Sequence, residues 1–238
     1  MSNKGFLDKK GAAMVDRKAF FSLSYGVYIV SAKDGDKAAG CIVNTFNQVT
    51  SSPARVSVAV NKDNFTTGII LSSGRFEASV LAQEAPMELI GRFGFQSSKD
   101  IDKFAETVHA VDEAGVPYVT ETVVAHFGAR VVESVDVGTH MLIVGEVEEA
   151  EVLSDAAPMT YAYYHEVKGG KTPPKASGYV PDEPEKPVAS APAAAATRIA
   201  WKCKICGAVV EMDELPEDFK CPICGMGREV FERIEIPA

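Results

Sequence analysis

The chain reads as mainly β: a β-barrel with a few short helices, followed by a small C-terminal module built on four cysteines. Three observations predict this. Six runs rich in β-branched and aromatic residues lie between positions 27 and 147, some of them alternating apolar with polar. Helical stretches are short and too few to alternate with the strands, as a parallel α/β sheet requires. The C-terminal end carries two paired cysteines, Cys203-Lys-Ile-Cys206-Gly207 and Cys221-Pro-Ile-Cys224-Gly225.

Asp16 is placed to cap a helix over residues 17–23, and Tyr25-Gly26 leads into a strand over 27–32. Lys33-Asp34-Gly35-Asp36 supplies a turn, and 41–46 is the next strand. Residues 56–60 alternate as Val-Ser-Val-Ala-Val, a half-buried strand. Asn64 precedes a helix over 65–73, and 75–81 returns to strand. Pro86 suits the first position of a helix running to Phe93, where its missing N–H breaks no hydrogen bond. Strands over 123–132 and 140–147 complete the barrel. Composition then changes. Positions 169–197 hold six prolines and the run Ala193-Ala194-Ala195-Ala196, which predicts an extended, semi-rigid linker that lets the module swing over a limited arc. Residues 175–179 are expected to stay against the large domain. The chain thus divides into 1–168, a linker at 169–197, and 198–238.

With 238 residues and 46% hydrophobic content, the chain can hold one sizeable core and a small module. A net charge of −9 without a basic block argues against nucleic-acid partners. No apolar leader or membrane-length run is present, so no membrane role is expected. Five cysteines, four of them in the pairs, suggest a reducing cytoplasm. Cys41 reads as a small buried apolar residue. There is no dinucleotide glycine fingerprint, no P-loop and no internal repeat.

Each cysteine pair sits at i, i+3 on a tight turn, so Cys203, Cys206, Cys221 and Cys224 can point at one ion. Four thiolates in a tetrahedron select iron or zinc. Spacing does not separate the two: 14 residues lie between the pairs, close to the 15–20 of zinc ribbons. Trp201, Phe219 and Phe231 offer an apolar shell, which leans towards iron, because shielding and N–H···S bonds tune an iron–thiolate potential. The segment resembles rubredoxin in its short form, through Trp201, Cys203-x-x-Cys206-Gly207, Leu215-Pro216, Phe219, Cys221-Pro222-x-Cys224-Gly225 and Phe231. Ala208 stands where a tyrosine usually follows, so the shell is thinner. This resemblance implies one iron per chain, cycling between Fe³⁺ and Fe²⁺.

Two polar clusters follow strands in the large domain. The first holds Asn44, Thr45, Gln48, Thr50 and Ser51; the second holds Asn61, Lys62, Asn64 and Thr67 at the start of a helix. Hydroxyls, amides and a helix N-terminus suit a phosphate. Each cluster alone reads more readily as turns and caps. In this order, they resemble the flavin reductase-like family, which has an FMN-binding split β-barrel. The resemblance runs over about 14–168, through Leu23-Ser24-Tyr25-Gly26-Val27-Tyr28-Ile29-Val30 and Asn44-Thr45-Phe46-Asn47-Gln48-Val49-Thr50. It continues through Ser73-Gly74-x-Phe76-x-Ala78-Ser79-Val80-Leu81, Phe93-Gly94-Phe95, Asp102-Lys103-Phe104, Asp136-Val137-Gly138-Thr139-His140 and Thr160-Tyr161-Ala162-Tyr163-Tyr164-His165.

The resemblance implies FMN held without a covalent bond, a homodimer with flavin near the subunit interface, and hydride from NADH or NADPH. The residues it assigns to the flavin are Asn44, Thr45, Gln48, Thr50, Ser51, Asn61, Lys62, Thr67 and His140. His140 stands either beside the flavin or nicotinamide ring or in a structural role. His165 reads as packing, His126 as packed or at the surface, and His109 as without a role. No general base is required for hydride transfer. A split barrel fused to a rubredoxin resembles the high-molecular-weight rubredoxins. That implies an oxidoreductase of anaerobes passing electrons from NAD(P)H, directly or through a separate reductase, via FMN and Fe(Cys)₄ to a flavo-diiron NO or O₂ reductase. Two alternatives stay open: a flavin or ferric-chelate reductase with an internal relay, or a partner-docking module stabilised by zinc.

Overall fold

The computed structural model describes residues 15, 17–173, 176, 177, 179 and 197–237. Asp16, Lys175 and the proline-rich stretch 180–196 lie outside the described residues.

Residues Arg17–Ser22 form a 3₁₀ turn, not the expected α-helix. Six residues are too few to repay α-helix nucleation without a buried face, and Phe20 and Phe21 remain exposed. Strands β1 (Tyr28–Asp34) and β2 (Lys37–Val43) make a hairpin. The hairpin register, Tyr28 opposite Val43 and Asp34 opposite Lys37, draws residues 37–40 into β2 and ends it before Phe46. Next come β3 (Asn47–Ser51) and β4 (Ala54–Asn61). The first polar cluster is therefore partly a strand, not a loop. β3 pairs with β4 across a bulge between Gln48 and Thr50, and all five of its residues are exposed. A strand polar on both faces lacks the alternation by which strands are recognised.

Helix α1 (Phe65–Ser73) is capped by Asn64, whose Oδ1 accepts from the Thr66 N–H at 3.0 Å. Then follow β5 (Arg75–Leu81), α2 (Met87–Phe95), the small hairpin of β6 (His109–Val111) and β7 (Pro117–Val119), the long pair β8 (Val123–Asp136) and β9 (His140–Val152), and α3 (Tyr161–Glu166). Pro86 is the N-cap of α2, one position earlier than expected. Seven strands form one antiparallel sheet in the order β2-β1-β5-β8-β9-β4-β3, which curls until β2 meets β4.

β1 is buried on both faces because successive side chains point opposite ways. Val30 and Ala32 enter the barrel core with Val43, Val58, Phe76 and Ile143. Ile29 enters a second core beneath α2 and α3, with Leu81, Ile90, Phe93, Met159 and Tyr164. Lys103 is buried, and its Nζ donates to Gly40 O at 2.8 Å and Phe93 O at 3.2 Å, tying the end of α2 to β2. Burial lowers its pKa to about 8.

One buried pair stands apart. His126 is fully buried, stacked on Tyr118 at 3.8 Å, with Nδ1 3.2 Å from Glu77 Oε2. Burial, with Asp112 and Glu149 nearby, raises the Glu77 carboxyl to about 9, and burial lowers the His126 imidazole. Both are neutral at pH 7.

The C-terminal module is a three-stranded sheet in the order β11-β10-β12, from β10 (Thr197–Cys203), β11 (Val209–Val210) and β12 (Phe231–Pro237). Its core joins the four cysteines to Leu215, Ile223 and Phe231, with Trp201 and Phe219 partly buried against them. Phe219 and Phe231 meet edge-on at 5.4 Å. Met87 and Phe95 of α2 pack against the same cluster. Among the described residues, no helix is long and apolar enough to cross a membrane.

Candidate functional site

A cavity of about 310 Å³ opens beside the barrel. β2 lines it with Cys41, Ile42 and Val43, and Asn44 follows at the strand end. β4 adds Ala59, Val60 and Asn61, and the turn into α1 adds Asp63, Asn64 and Phe65. The end of α2 contributes Gly94 and Phe95, continued by Gln96 and Ser97. His140 enters from the start of β9, and Tyr161 and Tyr164 from α3. Lys171, Pro173, Ala176 and Ser177 form the remaining wall. One side is thus apolar, and the other carries amides and the N-terminus of a nine-residue helix.

Three of the sequence-assigned residues meet here: Asn44, Asn61 and His140. Asn44 is buried; its Oδ1 accepts from Ser177 Oγ at 2.8 Å, while its Nδ2 finds no partner among the described residues. Asn61 Oδ1 accepts from the Asp63 N–H at 2.9 Å. His140 is half-buried, which lowers its pKa, and its Nδ1 lies 2.9 Å from Thr139 Oγ1.

The others lie outside the cavity lining. Thr45 Oγ1 donates to Ala59 O at 2.8 Å and accepts from the Ala59 N–H at 3.1 Å, which braces β4. Thr67 Oγ1 donates to Asn61 O at 2.7 Å. Lys62 pairs with Asp136 at 2.8 Å on the surface. Gln48, Thr50 and Ser51 are exposed on the β3–β4 hairpin, with Thr50 Oγ1 donating to Pro53 O at 2.6 Å. Reading the sequence for phosphate donors missed Phe95, Gln96, Tyr164, Lys171 and Ser177. They come from segments distant from the two polar clusters. Tyr164 is buried and donates from its hydroxyl to Lys171 O at 3.1 Å, which brings the segment after α3 into the wall.

The residues present fit a flavin. An unpartnered buried amide donor suits a ring carbonyl or phosphate oxygen, and the apolar wall suits a flat aromatic body.

The four cysteine sulfurs lie within 4.8 Å of one another, all buried. Cys203 and Cys224 are 3.7 Å apart, and Cys206 and Cys221 are 3.4 Å apart. A tetrahedron of thiolates at about 2.3 Å from a metal sets sulfurs about 3.8 Å apart, so the set fits one ion. The two knuckles repeat each other. The N–H of Cys203 donates to Ala208 O and that of Cys221 to Met226 O, both at 2.8 Å. Gly207 and Gly225 follow at φ +80° and +71°, a left-handed turn that a side chain would strain. Backbone N–H groups of Ile205 and Cys206 bond the Cys203 sulfur, Ala208 bonds Cys206, and Met226 bonds Cys224. Burial pushes the Cys206 and Cys224 thiols up, the latter to about 12, so a cation must replace their protons.

Comparison with known proteins supplies the family. Residues 20–171 match the flavin reductase like domain, and residues 201–232 match the rubrerythrin, rubredoxin-like domain. A high molecular weight rubredoxin from Moorella thermoacetica is 40% identical, covering 92% of this chain and 100% of its own. A ferric-chelate reductase (NAD(P)H) from Archaeoglobus fulgidus is 47% identical over 69% of this chain and 98% of its own. A solved structure of an NADH:FAD oxidoreductase from Streptomyces globisporus superposes with a TM-score of 0.56 at 25% identity, over 64% of this chain and 94% of that one. The chain is an oxidoreductase of the flavin reductase type, with a cavity that fits a flavin and a rubredoxin-like four-thiolate set that fits one metal ion. It belongs to the flavin reductase-like family, among the members that carry a C-terminal rubredoxin-like domain, the high-molecular-weight rubredoxins.

Proposed function

We propose that this chain carries electrons from NADH or NADPH to an external redox protein. The observation that carries this reading is the pairing, in one chain, of a cavity holding an unpartnered amide donor with a closed four-thiolate set. Overall, NAD(P)H and two ferric centres give NAD(P)⁺, two ferrous centres and one proton. FMN, when bound, accepts the hydride pair and supplies single electrons, which a lone iron can take only one at a time.

The chain's residues bind and orient. Asn44 holds the flavin through Nδ2, with Ser177 fixing its other end. Asn61 and the N-terminus of α1 face the phosphate. His140, kept neutral by burial, lines the ring side. Ile42, Val43 and Phe95 exclude water from the apolar wall. Thr45 and Thr67 act by bracing the strand and turn that carry these groups. Lys62, Gln48, Thr50 and Ser51 reach the flavin only by leaving their present partners or across a homodimer interface. The domains run over 1–168 and 198–238, joined by 169–197, whose first part, with Lys171 and Ser177, stays in the cavity wall. The acceptor is a flavo-diiron NO or O₂ reductase in the cytoplasm of an anaerobe.

The test is a visible spectrum of anaerobically purified protein before and after NADH or NADPH. Flavin bleaching should precede or accompany loss of ferric absorbance. The Cys203→Ser chain should lose iron and delivery to the partner while its flavin is still reduced. Iron reduced at full speed in flavin-free protein would refute the order. A second reading, ferric-chelate reduction, is favoured by the likeness to the Archaeoglobus enzyme. With the iron module as its internal relay, it predicts ferric-chelate reduction by NAD(P)H with no partner protein present, lost in Cys203→Ser.

A further inference from the structure

Gly91 sits in the interior of α2, where glycine costs the helix about 1 kcal/mol relative to alanine. Its backbone is helical, so no turn requires it. What requires it is the C-terminal module. A Cβ on Gly91 would overlap the carbonyl oxygen of Ile223 and lie 2.5 Å from Ile223 Cγ2. Ile223 is the second of the two residues between Cys221 and Cys224 on the second knuckle. The helix face is therefore cut to seat that knuckle, and Met87 and Phe95 pack beside it.

The seat has a direction. A Cβ on Gly225, beside Cys224, would lie 3.7 Å from Gln96 Nε2. One on Gly207, beside Cys206, would lie 3.4 Å from Gly169 O and 3.6 Å from the Lys171 side chain. Phe95, Gln96 and Lys171 also line the cavity. Both knuckles thus abut a wall of the cavity, one residue thick.

We propose that the Gly91 face of α2 is the docking seat at which the iron module takes electrons from the flavin cavity of its own chain, with Gly91 and Ile223 as positioning residues. The proposal rests on the flavin reading above. Each docking moves one electron: iron passes from Fe³⁺ to Fe²⁺ and no bond at sulfur forms or breaks. One hydride therefore needs two passes, and its proton leaves to solvent.

The test compares full-length protein with the Gly91→Ala chain, a change that favours the helix and leaves every cavity residue in place. Hydrogen exchange reads docking without any redox step: the amides of Cys221, Ile223, Cys224 and Gly225 should exchange faster in the variant. Flash photoreduction of the bound flavin then reads transfer without NAD(P)H. In the parent chain the rate of ferric bleaching should not depend on protein concentration. In Gly91→Ala it should fall at least about tenfold, with flavin content, iron content and iron midpoint potential unchanged. Gly91→Glu should fall further. An unchanged rate in both variants overturns the proposal, as does a parent rate that rises with protein concentration. Unchanged exchange in Gly91→Ala overturns the seat itself. If the parent chain binds no flavin, the flavin reading fails instead, and exchange still reports on docking.

Discussion

Replacing Glu77 with glutamine should flatten the pH dependence of stability above neutrality. The carboxyl is fully buried and its pKa is raised to about 9, first by burial and then by Asp112 and Glu149. In the unfolded chain it returns to the ordinary value of about 4.5, so folding at pH 7 takes up one proton. That costs about 3 kcal/mol, from about 2.5 pH units at about 1.36 kcal/mol each. Because the folded pKa is raised, the favourable contribution is complete below about 4.5. It is lost as pH climbs towards 9, at about 1.4 kcal/mol per unit. His126 works in the other direction. Its pKa is lowered, so it erodes stability only as pH falls below 6.5. Lys103, lowered by burial to about 8, titrates equally in both proteins, so the difference between parent and variant from pH 6.5 to 8.5 isolates Glu77. Urea unfolding followed by circular dichroism, at saturating FMN, should show the parent losing about 3 kcal/mol more than Glu77→Gln across that window. Parallel curves would mean that Glu77 is ionised in the fold and paired with a charged His126, and the neutral-pair argument would be wrong.

Asn44→Ala should weaken flavin binding about tenfold, the loss of one net hydrogen bond of about 1–1.5 kcal/mol. Fluorescence titration reads this, and an unchanged Kd removes Asn44 from the site. A chain ending after residue 179 should keep its flavin and its reduction by NAD(P)H while losing delivery to the acceptor. Gel filtration and flavin content check this, and an insoluble product would show that barrel and module share one core.

The metal centre was legible because its information is local: four residues in two short repeats set the geometry. The alternation at Val56, Val58 and Val60 was legible for the same reason, since one buried face imposes a period of two. The cavity was legible in part. Asn44 and Asn61 mark strand ends with polar chemistry, but Tyr164, Lys171 and Ser177 reach the same space only through the path of the chain after α3. β3 hid because its residues are exposed on both faces, so no period survives. Thr45 and Thr67 looked like ligands because a hydroxyl bonds backbone as readily as phosphate, and only the fold shows which. Gly91 could not be read at all. A glycine within a helix gives no sign of a partner more than a hundred residues away.

The contact between Ile223 and α2 is narrow, and covalent attachment changes what a narrow contact can do. A tethered module meets its seat at an effective concentration of about a millimolar where the linker's length matches the span. A seat with a Kd of about 1 mM, only about 4 kcal/mol of binding, is then occupied about half the time. Two separate chains at micromolar concentration would hardly ever form it. The same weakness makes release fast, and a foreign redox protein with micromolar affinity for the exposed knuckles outcompetes the seat without displacing anything held tightly. The small footprint around Gly91 thus suits a carrier that must both load and leave.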